Sequence, residues 1–181
     1  MNLSQAPQSY DSVSKALHWL IALLAFAQLG MGKFFEVEAD EADSLFELHS
    51  ALGLLVLALM LVRIAWRLTH AVPDQPAGTP PLLRLVALGM HGGFYLLLIA
   101  LPLSGWALTS IEGDAVSFFG AFPVPSLPVA GGEEMEDFIE EAHELMGNVL
   151  LVLAGLHVLA GLKHHFIDRD NVLRRMLPFH G

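Results

Sequence analysis

Histidine is the residue type through which this chain could do chemistry. Its 181 residues include nine histidines and no cysteine. Without cysteine the chain forms no disulfide, no iron–sulfur cluster and no thiolate nucleophile. Ionisable side chains inside a membrane are rare and usually functional. Five histidines are therefore candidate site residues, because they lie in or at the edge of long apolar segments: His18, His49, His91, His143 and His157.

The spacing of these histidines predicts two pairs at two depths. His143 and His157 are 14 residues apart, so on one helix they share nearly the same face and lie ~21 Å apart along its axis. His49 precedes the boundary residue Arg63 by 14 residues, which matches it in depth to His143. Lys15 and Lys163 mark the same boundary as Arg63, and His18 and His157 both lie a few residues inside it, so they match each other in depth.

Two facing imidazoles at one level suit haem iron better than zinc. Zinc prefers four close ligands, whereas haem iron takes one axial ligand on each face of a flat macrocycle. The bulky Tyr95 follows His91 by four residues, so we assign His91 a structural or supporting role. A simpler alternative for any single histidine is an interhelical hydrogen bond. Small residues beside the other histidines would leave room for the macrocycle: Ala22, Gly53, Gly147, Ala154 and Gly161.

Four segments are long and apolar enough to position these histidines in a membrane. The chain is 54% hydrophobic and 15% charged, against about 25% charged residues in typical soluble domains. A spanning helix needs roughly 20 apolar residues. The first segment reaches that length without a convincing cleavage site, which favours a span over a signal peptide. We predict one domain over 1–181, an all-α transmembrane four-helix bundle with spans at about 14–34, 46–66, 85–108 and 140–162.

Charge divides between the two ends of this predicted bundle. The net charge of -10 excludes a basic nucleic-acid-binding protein. Lysine and arginine cluster near the termini and between the second and third spans, with Lys33 on the other side, so both termini are predicted to be cytoplasmic. The opposite face is acidic; its carboxylates are Glu36, Glu38, Asp40, Glu41, Asp43, Glu47, Glu112, Asp114, Glu133, Glu134, Glu136, Asp137, Glu140, Glu141 and Glu144.

Several segments resemble the bacterial cytochrome b561 family, and the resemblance covers almost the whole chain. They are KALHWL, ELHSALGL, MHGGFYLLLIALPLSGW, EAHELMGNVLLVLAGLH and the tail KHHFIDRDNVLRRMLP. The resemblance implies a multi-pass inner-membrane cytochrome with two haem b groups. His49 and His143 would ligate the haem iron near the extracytoplasmic face, and His18 and His157 the one near the cytoplasmic face.

The same resemblance implies electron transfer through the lipid bilayer, with ubiquinone or another quinone as partner. One type of family member oxidises superoxide and reduces ubiquinone. An acidic outer face repels superoxide and would favour a cationic donor or a basic redox partner protein, so the donor stays open. One alternative is a haem-bearing anchor that relays electrons for a partner dehydrogenase. Another is a metal transporter, which the apolar middle of the spans disfavours.

Side chains near the cytoplasmic ends are further candidates. His164, His165 and His180 could line a quinone or proton site, or be solvated at the interface. Arg63 and Lys163 could donate to haem propionates or anchor to lipid headgroups.

Purification tests the haem prediction directly. The protein is expected to carry about two b haems per chain, measured as the ratio of haem absorbance to protein. Colourless protein would contradict haem binding, and one haem per chain would contradict the two-site arrangement.

Overall fold

Four long helices make up most of the protein. The computed structural model describes residues 9–34, 39–76 and 78–178, apart from the side chains of residues 33, 34 and 39–43. The helices are α1 (Ser12–Phe34), α2 (Ala39–Thr69), α3 (Pro81–Ile111) and α4 (Glu133–Lys163). Each contains a segment long and apolar enough to cross a membrane. The predicted all-α transmembrane bundle is confirmed.

Three helices extend beyond the predicted spans at both ends. α2, α3 and α4 each have 31 residues. α4 begins at Glu133, well before the predicted start at residue 140, and three carboxylates lie in its first turn. Negative charge at a helix N-terminus is stabilised by the helix dipole. Apolar length therefore predicted the part that crosses the membrane and not the polar turns beyond it.

The helices pack in chain order and turn most of their apolar side chains outward. α1 packs on α2, α2 on α3, and α3 on α4. Large apolar side chains such as Leu23 (68% exposed) and Leu159 (62% exposed) face the surroundings, as expected where lipid is the solvent. Two small clusters are buried: Leu17, Ile21, Val56 and Met60 between α1 and α2, and Leu29, Leu97 and Leu150 joining α1, α3 and α4.

Described residues from the first and last parts of the chain meet at the same end of the bundle. Ser9 Oγ donates a hydrogen bond to the Arg175 carbonyl (3.0 Å), and Trp19 Nε1 donates to the Met176 carbonyl (2.8 Å). After α4 the chain forms a π-helical turn, His164–Asp168, and a 3-10 turn, Arg174–Met176. We call this the inner end, and the end that carries the α3–α4 connection, residues 112–132, the outer end.

A short hairpin at the outer end was not predicted. Strands β1 (Ser117–Phe118) and β2 (Phe122–Pro123) pair antiparallel, and β1 packs against α2. Phe119 and Gly120 both have positive φ in the turn between them. Strands of two residues are too short to show the alternation from which a strand is recognised.

Asp11 caps α1 and connects it to α2. Its Oδ1 accepts hydrogen bonds from the Ser14 N–H (2.9 Å) and from Trp66 Nε1 (3.1 Å), and its Oδ2 accepts from the Ser14 hydroxyl (2.7 Å). Partial burial alone would raise the pKa of Asp11, but the hydrogen bonds from Ser14 and Trp66 outweigh it and hold the pKa below its ordinary value.

Asp11→Ala is expected to lower the free energy of unfolding by about 1 kcal/mol, the usual effect of losing an N-cap, seen as a lower Tm in detergent. Because the folded-state pKa is lowered, this stabilisation is present above the unfolded-state pKa and is lost as the pH falls through the folded-state value. Asp11→Asn is the matched control: it keeps the cap acceptor and should remove the acid dependence. An unchanged Tm for Asp11→Ala would contradict this role.

Candidate functional site

One pair of predicted site histidines meets near the outer end. His49 on α2 and His143 on α4 each lie ten residues after the start of their helix. Their ring centroids are 6.2 Å apart and their planes are 66° from parallel. Both side chains are partly buried between the helices.

The second pair meets near the inner end with almost the same geometry. The rings of His18 on α1 and His157 on α4 have centroids 6.3 Å apart and planes 66° from parallel. Because α4 is continuous from Glu133 to Lys163, His143 and His157 keep the ~21 Å axial separation of an ideal helix. The structure thus brings together both of the predicted pairs.

The spacing within each pair fits a metal ion bound by one nitrogen of each ring. A metal–imidazole bond is about 2.0–2.1 Å and a ring centroid lies about 1.2 Å behind the bound nitrogen, so two rings on opposite sides of an ion have centroids roughly 6.4 Å apart. A direct hydrogen bond between the rings would shorten this to roughly 5.3 Å. The observed 6.2 and 6.3 Å agree with the first arrangement.

Within the part of the chain that the structure describes, neither pair has further protein ligands to complete a tetrahedral site. Among the described residues, the one group of three or more histidine or carboxylate side chains close enough to share an ion is elsewhere, at His164, Asp168 and Asp170. Zinc in proteins usually has four ligands, with at least three from the protein. Two opposed imidazoles instead fit an iron whose other four ligands come from a macrocycle, which is the chemistry of haem.

His91 is the third histidine at the inner level. Its ring centroid lies 5.9 Å from that of His157, but its side chain is exposed. Its Nδ1 is 2.7 Å from the Ala87 carbonyl of its own helix, and since a carbonyl only accepts, the proton is on Nδ1. His91 is thus tethered to α3, whereas His18 is partly buried and at the spacing seen in the outer pair.

Two polar side chains that sequence reasoning missed contact the outer pair. Ser104 Oγ on α3 lies 2.8 Å from His143 Nδ1. Gln28 Nε2 on α1 donates a hydrogen bond to the His49 carbonyl (2.8 Å). Both are polar residues within an apolar span, at the depth of the histidines, and that was the signal available in the sequence. Such residues commonly form hydrogen bonds between membrane helices.

Two glycines near the histidines have different surroundings. A Cβ at Gly147 would meet nothing within 4 Å, so the space at this position is open. A Cβ at Gly53 would lie 3.2 Å from Gln28 Nε2, so Gly53 makes room for the Gln28 amide. That both glycines lie beside a macrocycle stays a prediction.

At the inner end, Lys163 and His164 bond to carboxylates of the same segment. Lys163 Nζ lies 2.6 Å from Asp168 Oδ2, and His164 Nδ1 lies 2.6 Å from Asp170 Oδ2. Slight burial would raise the pKa of Asp170, but hydrogen bonds from the Val172 N–H and His164 lower it overall. The turn after α4 is therefore held by charge-assisted hydrogen bonds.

The other candidates of the inner end are Arg63, His165 and His180. Arg63 Nη1 donates to the Ser14 carbonyl (3.3 Å), which ties α2 to the start of α1. His165 Nδ1 is buried without a hydrogen-bond partner among the residues that the structure describes. His180 lies outside those residues.

The outer end concentrates negative charge. Burial, followed by the neighbouring carboxylates of Glu136, Asp114 and Glu140, raises the pKa of Glu112. A carboxyl whose ionisation is opposed by three others is evidence of a negative local field. Part of the predicted acidic face lies outside the described residues: Glu36 and Glu38, and the side chains of Asp40, Glu41 and Asp43. The side chain of Lys33, the basic residue predicted on that side, is also outside them.

Known proteins resemble this chain over nearly its whole length. The family model described as prokaryotic cytochrome b561 matches residues 9–179. Cytochrome b561 homolog 2 of Escherichia coli (strain K12) is 33% identical over 181 residues, covering 98% of this chain and 95% of the relative. Probable superoxide oxidase CybB of Yersinia pestis is 31% identical, covering 94% and 97%. Cytochrome b562 of Cereibacter sphaeroides is 30% identical, covering 97% and 98%. With two opposed histidine pairs in a four-helix membrane bundle and a family match across almost every residue, the chain belongs to the prokaryotic cytochrome b561 family.

Proposed function

We propose that this protein is a di-haem b cytochrome that transfers electrons across the bacterial inner membrane to or from quinone. Its family makes it a membrane electron-transfer protein, and membership implies haem b. The observation that supports two haems is the pair of histidine contacts, 6.2 and 6.3 Å between ring centroids, at opposite ends of one continuous helix.

The four histidines have the role of axial ligands in this proposal. His49 and His143 hold one haem at the outer end, and His18 and His157 hold the other at the inner end. Haem iron with an imidazole on each face supplies one-electron transfer without an open coordination position. By the positive-inside rule the basic inner end is cytoplasmic.

Superoxide is one electron donor to consider at the outer end. The Yersinia pestis relative is named as a probable superoxide oxidase. If this chain used superoxide, each superoxide would give up one electron and become O₂, and two such electrons with two protons would convert ubiquinone to ubiquinol. The carboxylates around Glu112 oppose this use, because a negative field lowers the encounter rate of an anion.

A positively charged donor is the second candidate, and the same carboxylates favour it. Complementary charge raises the rate at which a basic redox protein meets the outer end. In this version the chain relays electrons between a partner protein and quinone, with the same two haems and the same ligands.

The salt dependence of haem reduction separates these donors. Raising the ionic strength from 0.01 to 0.15 M shortens the Debye length from about 30 Å to about 8 Å. Reduction by superoxide should then become faster, because repulsion is screened, and reduction by a basic donor protein should become slower. An uncharged quinol is the control, and its rate should not change. A superoxide rate that falls with salt would show that the field at the site of reaction is not repulsive.

Paired substitutions test the ligand assignment. His143→Ala should leave one haem per chain, and the double variant His49→Ala/His143→Ala should also leave one, because both residues hold the same haem. His143→Ala/His157→Ala should leave none, because it removes a ligand from each pair. His91→Ala is the matched control for an exposed histidine and should retain two haems.

Haem content of the purified variants is the measurement. A colourless His49→Ala/His143→Ala protein would contradict the pairing. Loss of a haem in His91→Ala, with His18→Ala unaffected, would instead identify His91 as the partner of His157.

A further inference from the structure

We propose that Ser104 is a positioning residue that selects the tautomer and orientation of His143, and thereby lowers the reduction potential of the outer haem. The proposal rests on the proposed function in one respect, that His143 ligates a haem iron.

The hydrogen-bond partners of Ser104 determine which nitrogen of His143 carries the proton. The Ser104 hydroxyl has one hydrogen, and it donates this to the Leu101 carbonyl three residues earlier (2.9 Å). Towards His143 Nδ1, 2.8 Å away, the Ser104 oxygen can therefore only accept. The proton of the neutral ring is then on Nδ1, which leaves the lone pair on Nε2 as the ligand atom.

The backbone of α3 passes beside the His143 ring, because a Cβ at Gly105 would be in ordinary van der Waals contact with it, 3.4 Å from Cε1 and 3.8 Å from Nδ1. Because Ser104 is anchored to its own backbone, its acceptor stays in place when the ring moves.

The surroundings of the inner ligand on the same helix are different. His157 is flanked by the rings of Phe94, at 5.2 Å, and His91, at 5.9 Å. An acceptor that pulls on an imidazole N–H makes the ring a stronger electron donor to its metal, which stabilises ferric over ferrous iron. We therefore expect the effect of Ser104 to be confined to the outer haem.

Redox titration and low-spin ferric EPR spectra of the purified holoprotein test this proposal. Ser104→Ala should shift the midpoint potential of the outer haem upward and change its EPR signal, while both properties of the inner haem stay as in wild type. Ser104→Thr retains the hydroxyl and should restore wild-type values. The His49→Ala variant, which keeps the inner haem, assigns the two sets of signals.

Three results would overturn the role of Ser104: an unchanged or lower outer potential in Ser104→Ala, an equal shift of both haems, or a Ser104→Thr protein that deviates as far as Ser104→Ala. If Ser104→Ala loses the outer haem altogether, retention of that haem at wild-type potential in Ser104→Thr supports the role, and its loss there overturns it. Wild-type protein without two haems would refute the proposed function itself, and the haem count before any substitution identifies that case.

Discussion

A polar group placed in hydrocarbon must find its partner inside the protein, because an unsatisfied one costs several kcal/mol. This constraint accounts for the interhelical contacts near the histidines. Gln28 reaches from α1 to the His49 carbonyl, and Ser104 connects α3 to His143. His91 satisfies its Nδ1 on its own helix. Two buried side-chain atoms among the described residues lack a partner, Gln28 Oε1 and His165 Nδ1. Apolar side chains gain little free energy by leaving lipid to contact one another. These few polar contacts therefore do much to determine which faces of the helices meet.

α4 connects the two candidate haem sites, because it contributes one histidine to each. It packs chiefly against α3, while His143 and His157 face rings carried by α2 and α1. The axial distance between His143 and His157 is therefore determined by α4 alone. It does not depend on the positions of loops or neighbouring helices. The opposing rings come from helices that pack on each other through Leu17, Ile21, Val56 and Met60. In the proposed function, two flat cofactors would lie between α4 and the α1–α2 pair, one towards each end of the bundle.

The two ends of the bundle differ in chemistry as well as in charge. The inner end joins the termini through hydrogen bonds to the Arg175 and Met176 carbonyls and carries ion pairs such as Lys163–Asp168. The outer end carries carboxylates close enough to raise the pKa of Glu112. In the proposed function, charge at the outer end would act on the encounter of donor and protein, whereas the Ser104 hydroxyl would act on His143 itself. Substitutions could then change donor choice and haem potential independently.

The sequence by itself determined the four helices, the two depths of the histidines and the acidic and basic ends. These follow from apolar length, from the 14 residues between His143 and His157, and from the positions of charges, all of which are local along the chain. Only the tertiary structure decided which faces meet. It left His18 partly buried and His91 exposed beside His157, filled the space at Gly53 with Gln28, and brought Ser104 to His143 across 39 positions of sequence. The physical reason is that helical periodicity gives the angle between residues on one helix, whereas the rotation of that helix relative to its neighbours depends on contacts between side chains distant in sequence.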